Sequence, residues 1–433
     1  RPSPRNQPPH SFPALGIMPT KAVDVCVVGA GLSGAYAAHK LLAKGKSVAI
    51  IDARHRIGGR LLTAEEQGNL PGCDDLGGAW VWPASEHVIN QFLREHGIAT
   101  VPQHTDGLTV ARTRDGRRHV LPDGQAPMYA ACGGGASRIA GGAASMVRKM
   151  LLDADKKQNL SVQLGMKVAH IQQDKNGVKL TAISESNEGD GDLSVSCKAA
   201  IMAAPPKVLA SSIDFQPPLP KAKLDGMVAT PTWMEDYGKV LVSFPTNWWR
   251  ERSMSAVSID QMGAVSTWWE ACSGTGGDGR SPALAGFVTG SGANVLKKLE
   301  SADAFYEYIM DSLNNLYGVD TTQMGIKSAG AIKSSGSASN DGLTISKGGC
   351  TVTYKSWLQD PNTNSQVQSD ESSFTTDYGD RILQQSVGSL FFSGTEAAYG
   401  SGHMEGALVA ATRAVDEVLH HIDQECETSS NRD

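Results

Sequence analysis

No apolar run in this chain reaches the ~18 residues that a membrane-spanning helix needs. The longest, such as Val25–Ala30 and Val48–Ile51, sit inside short periodic elements. A surplus of one charge is also missing. Lys and Arg number 39 against 45 Asp and Glu, a net charge of −6. That excludes the basic footprint expected of a nucleic-acid or anionic-membrane binder. Cysteine is sparse: seven residues, at 26, 73, 132, 197, 272, 350 and 426, with no C-x-x-C pair. The spacing speaks against a zinc site, and the odd count in so long a chain against a disulfide framework. Buried free thiols are the expected state.

Glycine is what the chain has in excess: 47 residues, about 11% of the chain against the usual ~7%. Many stand in runs, so tight backbone turns are expected. With 40% hydrophobic and 19% charged residues, the composition is globular. A length of 433 residues allows two large domains or about three ordinary ones. Residues 1–20, opening on proline-rich Arg1–Pro13, read as a flexible arm, and 423–433 as a polar tail.

Residues 24–60 carry the strongest local signal. Asp24–Val28 reads as a short buried strand, β-branched and free of turn formers. Gly29-Ala-Gly31-Leu-Ser-Gly34 follows at once, then a helical stretch, Ala35–Lys44, then a second strand, Val48–Ile51, closed by Asp52. This is strand, G-x-G-x-x-G, helix, strand, acid. In that order the three glycines serve different ends. Gly29 makes the turn, Gly31 lets a pyrophosphate approach the backbone, and Gly34 lets helix and strand pack closely. The helix N-terminus offers unpaired N–H groups to phosphate. Asp52 is placed to accept hydrogen bonds from a ribose without a 2′-phosphate. The unit is therefore expected to bind FAD or NAD rather than NADP.

Beyond Arg60, helices are expected over Ser85–His96, the later part of Gly133–Leu152, Ala302–Tyr317 and Met404–Ile422. Strands are expected at Met166–Gln173, Gly177–Ser184, Lys198–Ala204, Lys239–Phe244, Leu284–Thr289 and Leu390–Ser393. Asn187–Asp192 reads as a hairpin tip, and Ser335–Leu343 and Gln359–Phe374 as loops.

Asp52-Ala-Arg54-His-Arg-Ile-Gly-Gly59-Arg60 continues the first motif into the signature D/E-A-R-x-R-x-G-G-R. Further blocks follow at Asp75–Val81, Ile201–Pro206, Phe215–Pro220, Gly238–Val242 before Trp248-Trp-Arg250, Phe391–Glu396, and Gly402–Gly406. In this set and order the chain, over about residues 22–422, resembles the flavin-containing amine oxidases, and most closely their monoamine oxidase branch. The resemblance implies an α/β fold with an α+β substrate part. A Rossmann-like FAD-binding domain of the glutathione-reductase type would be assembled from 21–80, 135–225 and 385–422. An inserted substrate-binding domain would take 81–134 and 226–384. The implied reaction is oxidation of an amine by hydride transfer to flavin, with oxygen as acceptor; the cofactor carries the chemistry and the protein orients the substrate.

Carried over by position, Gly29, Gly31, Gly34, Asp52, Arg54, Gly59 and Arg60 would surround the adenosine diphosphate, the arginines partnering the pyrophosphate. Val168 would meet the adenine edge through its backbone. Gly77 and Gly78 would lie near the flavin ring, Glu396 would contact the ribityl or ribose region, Gly394 would be a further cofactor contact, and Met404 would offer its N–H to a flavin carbonyl. Lys239, in an apolar strand, is costly to bury without a partner; the resemblance implies that it holds a water at flavin N5 and assists oxygen reduction. Gly348-Gly-Cys350-Thr-Val-Thr-Tyr354 resembles the run in which monoamine oxidases bond the flavin 8α-methyl carbon to a cysteine sulfur. Covalent attachment through Cys350 is therefore expected. Two features depart from the pattern: an insertion near 356–374, and Asp341 about where the family has a tryptophan, about nine residues before the cysteine.

The two tyrosines that cage the amine in monoamine oxidases are replaced here by Thr351 and His403. His403 is expected to hydrogen-bond the substrate, with Tyr399, Trp80, Trp82 or Trp268 supplying aromatic walls. A primary amine on a long or functionalised chain, such as an aminopolyol, is the favoured class. An L-amino acid oxidase would carry an arginine clamp where Leu62 stands. A polyamine oxidase would draw on acids such as Asp74, Asp75, Glu235 and Asp236. A non-catalytic FAD-binding homologue is the remaining alternative. The expected partners are a small amine and oxygen, with no metal, no nucleic acid and no membrane span; a homodimer is left open. A soluble protein is expected, the unpaired cysteines favouring an intracellular setting.

Overall fold

A computed structural model of the chain describes residues 22–64, 75–122, 134–155, 159–184, 192–272, 281–320, 336–339, 342–364, 378–400 and 402–430. Nine elements frame the site. In chain order they are β1 (Val23–Val28), α1 (Leu32–Ala43), β2 (Val48–Asp52), α2 (His87–Glu95), α3 (Ala144–Asp155), β3 (Leu193–Met202), β4 (Gly238–Ser243), β5 (Cys350–Ser356) and α4 (Met404–Ser430).

β1 is apolar on both faces because it runs through the middle of an eight-stranded sheet. It lies parallel to β2 and β3, with Val27 opposite both Ile50 and Ile201. Leu390–Phe392 extends the parallel part, and the antiparallel pair 166–174 and 177–184 flanks β3. One face is covered by α1, α2, α3 and α4, through residues such as Leu41, Phe92, Val147 and Leu408. The other face buries Val28, Ile51, Leu180, Met202 and Phe392. Although α2 falls in a segment expected for the second domain, its apolar stripe of Ile89, Phe92 and Leu93 packs into this first core.

The second sheet has nine strands, with β5 and β4 adjacent near its middle. Side chains alternate between its faces with period two. Val240, Val242 and Val352 face the core built on the helix Ala302–Tyr317, with Phe305, Ile309 and Leu313. Leu241, Trp269 and Trp357 face the other way, onto Leu76, Ala79 and Trp80. This second face is turned toward the first domain and carries the site.

Two expectations change. The stretch Ser335–Leu343, expected as loop, contributes to paired strands at Gly336–Ser339 and Gly342–Lys347, the latter held against β5. Their polar sequence gives no strand signal; pairing to an existing edge supplies it. The closing helix continues past Asp423 to Ser430. The tip at Asn187–Asp192 lies almost wholly outside the described residues. Among the described residues, no helix is long and apolar enough to cross a membrane. Cys26, Cys197, Cys272 and Cys350 are buried free thiols; Cys73, Cys132 and the Cys426 side chain lie outside the description.

Candidate active site

A cavity of about 1070 Å³ runs from the glycine-rich turn after β1 to the inward face of the second sheet. It exceeds the ~300–1,000 Å³ usual for a small-molecule pocket. At one end its wall is Gly29, Gly31, Asp52, Arg54 and Val168. Gly29 has φ +109, and a Cβ there would sit 2.9 Å from the Ala203 carbonyl oxygen. A Cβ on Gly31 would meet nothing closer than the Gly59 Cα, 3.8 Å away. Two residues without side chains thus face each other across a gap that opens at the N-terminus of α1. That is the cradle a pyrophosphate needs. Gly34 does not line the cavity. Its Cβ would fall 1.9 Å from the Gly29 carbonyl oxygen, so it serves close helix–strand packing, as expected.

Asp52 holds this end together. Its Oδ2 accepts the Ala30 N–H at 2.6 Å and its Oδ1 the Arg54 N–H at 2.8 Å. A carboxylate has about four lone-pair sites, so capacity remains for a ribose hydroxyl. The two arginines are differently placed from expectation. Arg54 donates to Asp360 Oδ1 at 2.7 Å and to Thr363 Oγ1 at 2.9 Å, both from the second domain. Arg60 forms a two-pronged pair with Glu396, at 2.7 and 3.1 Å. Both still line the cavity, but each has a protein carboxylate as partner. Glu396, expected at the ribityl or ribose region, is fully buried behind Arg60 and also accepts the Trp233 N–H at 3.0 Å. It does not line the cavity and reaches it only by way of Arg60. Arg56, missed in the sequence, donates to the carbonyls of Ile57, Gly59 and Leu61 and so braces the glycine turn.

The far end is aromatic and holds Gly77, Gly78, Lys239, Trp357, His403 and Met404. Gly77 has no room for a side chain, since a Cβ would lie 1.8 Å from the Arg60 carbonyl oxygen. Lys239 projects from β4 and is 3% exposed. Its Nζ donates to the carbonyls of Gly77 at 2.6 Å and Asp75 at 3.1 Å. It also lies 5.5–5.9 Å from the ring centres of Trp80, Trp269 and Phe287. Burial pulls its pKa down to about 8, against the opposing pull of Asp75. His403 stacks on Trp82, with ring centres 4.6 Å apart at 16°, and meets Trp233 edge-on at 5.7 Å. Its Nδ1 lies 2.9 Å from Glu86 Oε1. Met404 begins α4 at the cavity wall, and Gly394, with φ +111, also lines the cavity.

Three expected site residues lie elsewhere. Cys350 is buried in the second core, not at the cavity. The reason is strand parity. Lys239 is paired with Lys355, whereas Cys350 shares its face with Val352, which looks toward the helix Ala302–Tyr317. It also stands five residues from Lys355, about 16 Å along the strand at ~3.3 Å each. Burial pushes the Cys350 thiol up to about 11, the reverse of an activated thiolate. Tyr399 is 70% exposed and is not part of the cavity wall. Trp268 belongs to the second core. Asp74 is outside the described residues. The aromatic walls are instead Trp80 and Trp82, as expected, with Trp233, Tyr237, Phe287 and Trp357. Glu86 was also missed; it falls in the first turn of the helix expected over Ser85–His96 but in the structure stands just before α2, at its N-cap.

The cavity fits a flavin dinucleotide in volume and chemistry. Backbone-only walls and a helix N-terminus stand where phosphates would lie, an acid closes β2, and a ring-lined space lies beyond Gly77. Comparison with known proteins agrees. Residues 128–419 match the family described as flavin containing amine oxidoreductase, and residues 27–96 an NAD(P)-binding Rossmann-like domain. The chain is 24% identical to bovine (Bos taurus) amine oxidase [flavin-containing] B over 92% of its length and 86% of that protein. Among solved structures it resembles cyclohexylamine oxidase from Brevibacterium oxydans, at 19% identity and a TM-score of 0.67. A putrescine oxidase bound to putrescine matches at 20% identity and a TM-score of 0.66; 93% of this chain and all of each of those chains are covered. The chain therefore belongs to the family of flavin containing amine oxidoreductases.

Proposed function

We propose that the protein is an FAD-dependent amine oxidase that converts a primary amine to a carbonyl compound, with release of ammonia and hydrogen peroxide. The observation that carries this reading is one continuous cavity joining the glycine cradle to a ring-lined end closed by Lys239 and His403. When bound, FAD supplies the two-electron acceptor. Gly29, Gly31, Asp52 and Gly59 would hold its adenosine diphosphate, the Arg60–Glu396 pair its centre, and Gly77, Gly78 and the start of α4 its ring. Val168 would lie along the adenine.

The substrate is an amine without a carboxylate next to the nitrogen. Leu62 is buried away from the cavity. The two arginines in the wall, among the described residues, are already paired with Asp360 and Glu396. A carboxylate clamp of the amino acid oxidase kind therefore has no arginine to use. Trp82, Trp233 and His403 would surround the amine in place of a tyrosine pair, which favours a longer or more functionalised amine over a small arylalkyl one.

Attachment of FAD is proposed to be non-covalent. Cys350 faces the wrong core, and its thiol is held protonated. The family's tryptophan about nine residues before the cysteine matches Trp357 at the cavity better than Asp341; counting on from Trp357 gives Gln366, outside the described residues and not a thiol. A panel of amines that includes hexylamine, putrescine and amino acids, assayed for peroxide, tests the reading. Peroxide with the simple amines and none with amino acids is expected. Turnover of amino acids alone would reverse the assignment. Acid precipitation should release the flavin to the supernatant from wild type and from Cys350→Ser alike.

A further inference from the structure

We infer that His403 and Glu86 form a proton-accepting dyad: His403 Nε2 takes a proton from the substrate's ammonium group, and Glu86 positions the imidazole and balances the charge it gains. This rests on the amine-oxidase reading and extends it to how the substrate is made reactive.

The geometry is specific. Glu86 is buried, at 6% exposure, and both its oxygens are committed. Oε2 accepts the Trp82 N–H at 2.8 Å, and Oε1 faces His403 Nδ1 at 2.9 Å. An ionised carboxylate can only accept, so the neutral ring carries its hydrogen on Nδ1 and keeps a lone pair on Nε2. Nε2 has no protein partner among the described residues, and His403 lines the cavity. Trp82 stacks on one face of the ring and Trp233 meets it edge-on, which sets its orientation. The pair is also braced from behind. Glu405, in the first turn of α4, accepts the N–H groups of Val88 and Ile89 at 2.9 and 2.7 Å. The residue before α2 thus grips the residue before α4, while α4 caps α2.

The chemistry needs such a group. An alkylammonium resembles a lysine side chain, with a pKa near ~10.4, and reaches the site protonated at neutral pH. Its nitrogen lone pair must be free before the carbon–nitrogen bond can gain double-bond character. In the proposed step the ammonium N–H bond breaks, its electron pair stays on nitrogen, and the proton moves to Nε2. The resulting imidazolium faces the Glu86 carboxylate. The His403 side chain is 31% exposed, which leaves it a way to return the proton to water. Of the charged groups nearby, among the described residues, Glu86 alone touches the ring. Lys239 lines the same cavity, Glu405 is turned to α2, and the Arg60–Glu396 pair lies behind Trp233.

The test is the rate of anaerobic flavin reduction in the holoenzyme, followed against pH. The probes are hexylamine and 2,2-difluorohexylamine, whose ammonium is far more acidic, so that a large share arrives already neutral. If another straight-chain amine of the panel reacts faster, it and its 2,2-difluoro analogue take their place. With hexylamine near neutral pH, His403→Gln should slow reduction by ~10²-fold or more, the size of a lost general base. Glu86→Gln should slow it less. With the difluoro amine, the ratio of variant to wild type should approach one. The hexylamine deficit should also shrink as pH nears the amine's own pKa. An equal deficit with both amines at every pH would make His403 a mere positioning residue, and no deficit would remove the dyad altogether. Should His403→Gln lose its flavin, Glu86→Gln, which leaves the ring in place, must show the same dependence on amine acidity or the inference fails. A wild-type flavin that no amine reduces would sink the amine-oxidase reading itself, a different result from a reduced wild type with a uniform deficit.

Discussion

Gly31 and Gly34 are three residues apart, yet an added methyl group should act on them in opposite ways. At Gly34 it would collide with the Gly29 carbonyl oxygen, so Gly34→Ala should destabilise the fold with or without cofactor. At Gly31 the backbone is ordinary, φ −73, and the nearest protein atom is 3.8 Å from the new carbon. Gly31→Ala should leave the melting temperature of flavin-free protein unchanged but weaken FAD binding at least tenfold, measured by titration with flavin. Equal losses in both variants would mean that Gly31 is a packing glycine too. At the other end, Lys239 should act through its charge. Burial holds its pKa at about 8, below the lysine norm of 10.5, so the cation is lost as pH rises through about 8. Re-oxidation by oxygen should fall across that window in wild type. Lys239→Met should slow re-oxidation far more than anaerobic reduction and should lack that pH limb; equal effects on both half-reactions would contradict its role.

Elements decide which residues meet. The turn after β5 reaches back to the first domain through Asp360, which accepts from Arg54, from Lys355 Nζ at 3.0 Å and from the Asn362 N–H at 3.0 Å. Burial would raise the Asp360 pKa, but Arg54 and Lys355 overcome it and hold the acid below its ordinary value. Neutralising this acid leaves the buried Lys355 and the partly buried Arg54 without it. Asp360→Asn should therefore cost ~3–5 kcal/mol in unfolding free energy and loosen the cofactor, read by denaturant titration and by flavin release. A change within ~0.5 kcal/mol would show the contact to be incidental. This link was not legible in the sequence, because Arg54 and Asp360 are 306 residues apart and the stretch reads as polar loop. The first βαβ unit was legible because its signals are local: β-branched strands, glycines at a turn, an acid at a strand end. The closing block was legible for the same reason. Cys350 misled because a short run can match a pattern while its strand parity points it into the other core. His403 was found, but its partner was not, since the contact depends on how α2 and α4 cap each other.

For the whole molecule, the first sheet and the cavity stand or fall together, and acid should reveal it. Asp24 lies near the start of β1 and ties it to its neighbours. It accepts the N–H and hydroxyl of Ser47, both at 2.9 Å, and Lys198 Nζ at 2.8 Å. Burial pulls its pKa upward, but these partners prevail and bring it down to about 2. Because the folded value lies below the unfolded 3.8, its stabilisation is present above pH 3.8 and is lost as pH falls toward about 2. Asp24→Asn should lower stability at neutral pH and flatten the loss between those two values; an unchanged acid profile would assign the transition to other carboxylates. Every role given to a cavity residue presupposes a flavin dinucleotide that fills the cavity and is reduced there by an amine. The visible spectrum of the purified holoprotein, mixed with the best amine of the panel in the absence of oxygen, reports on both at once. The protein should be yellow, and its blue absorption should bleach on mixing and return when air is admitted. A protein that takes up no flavin, or whose absorption is unmoved by every amine, would contradict the assignment.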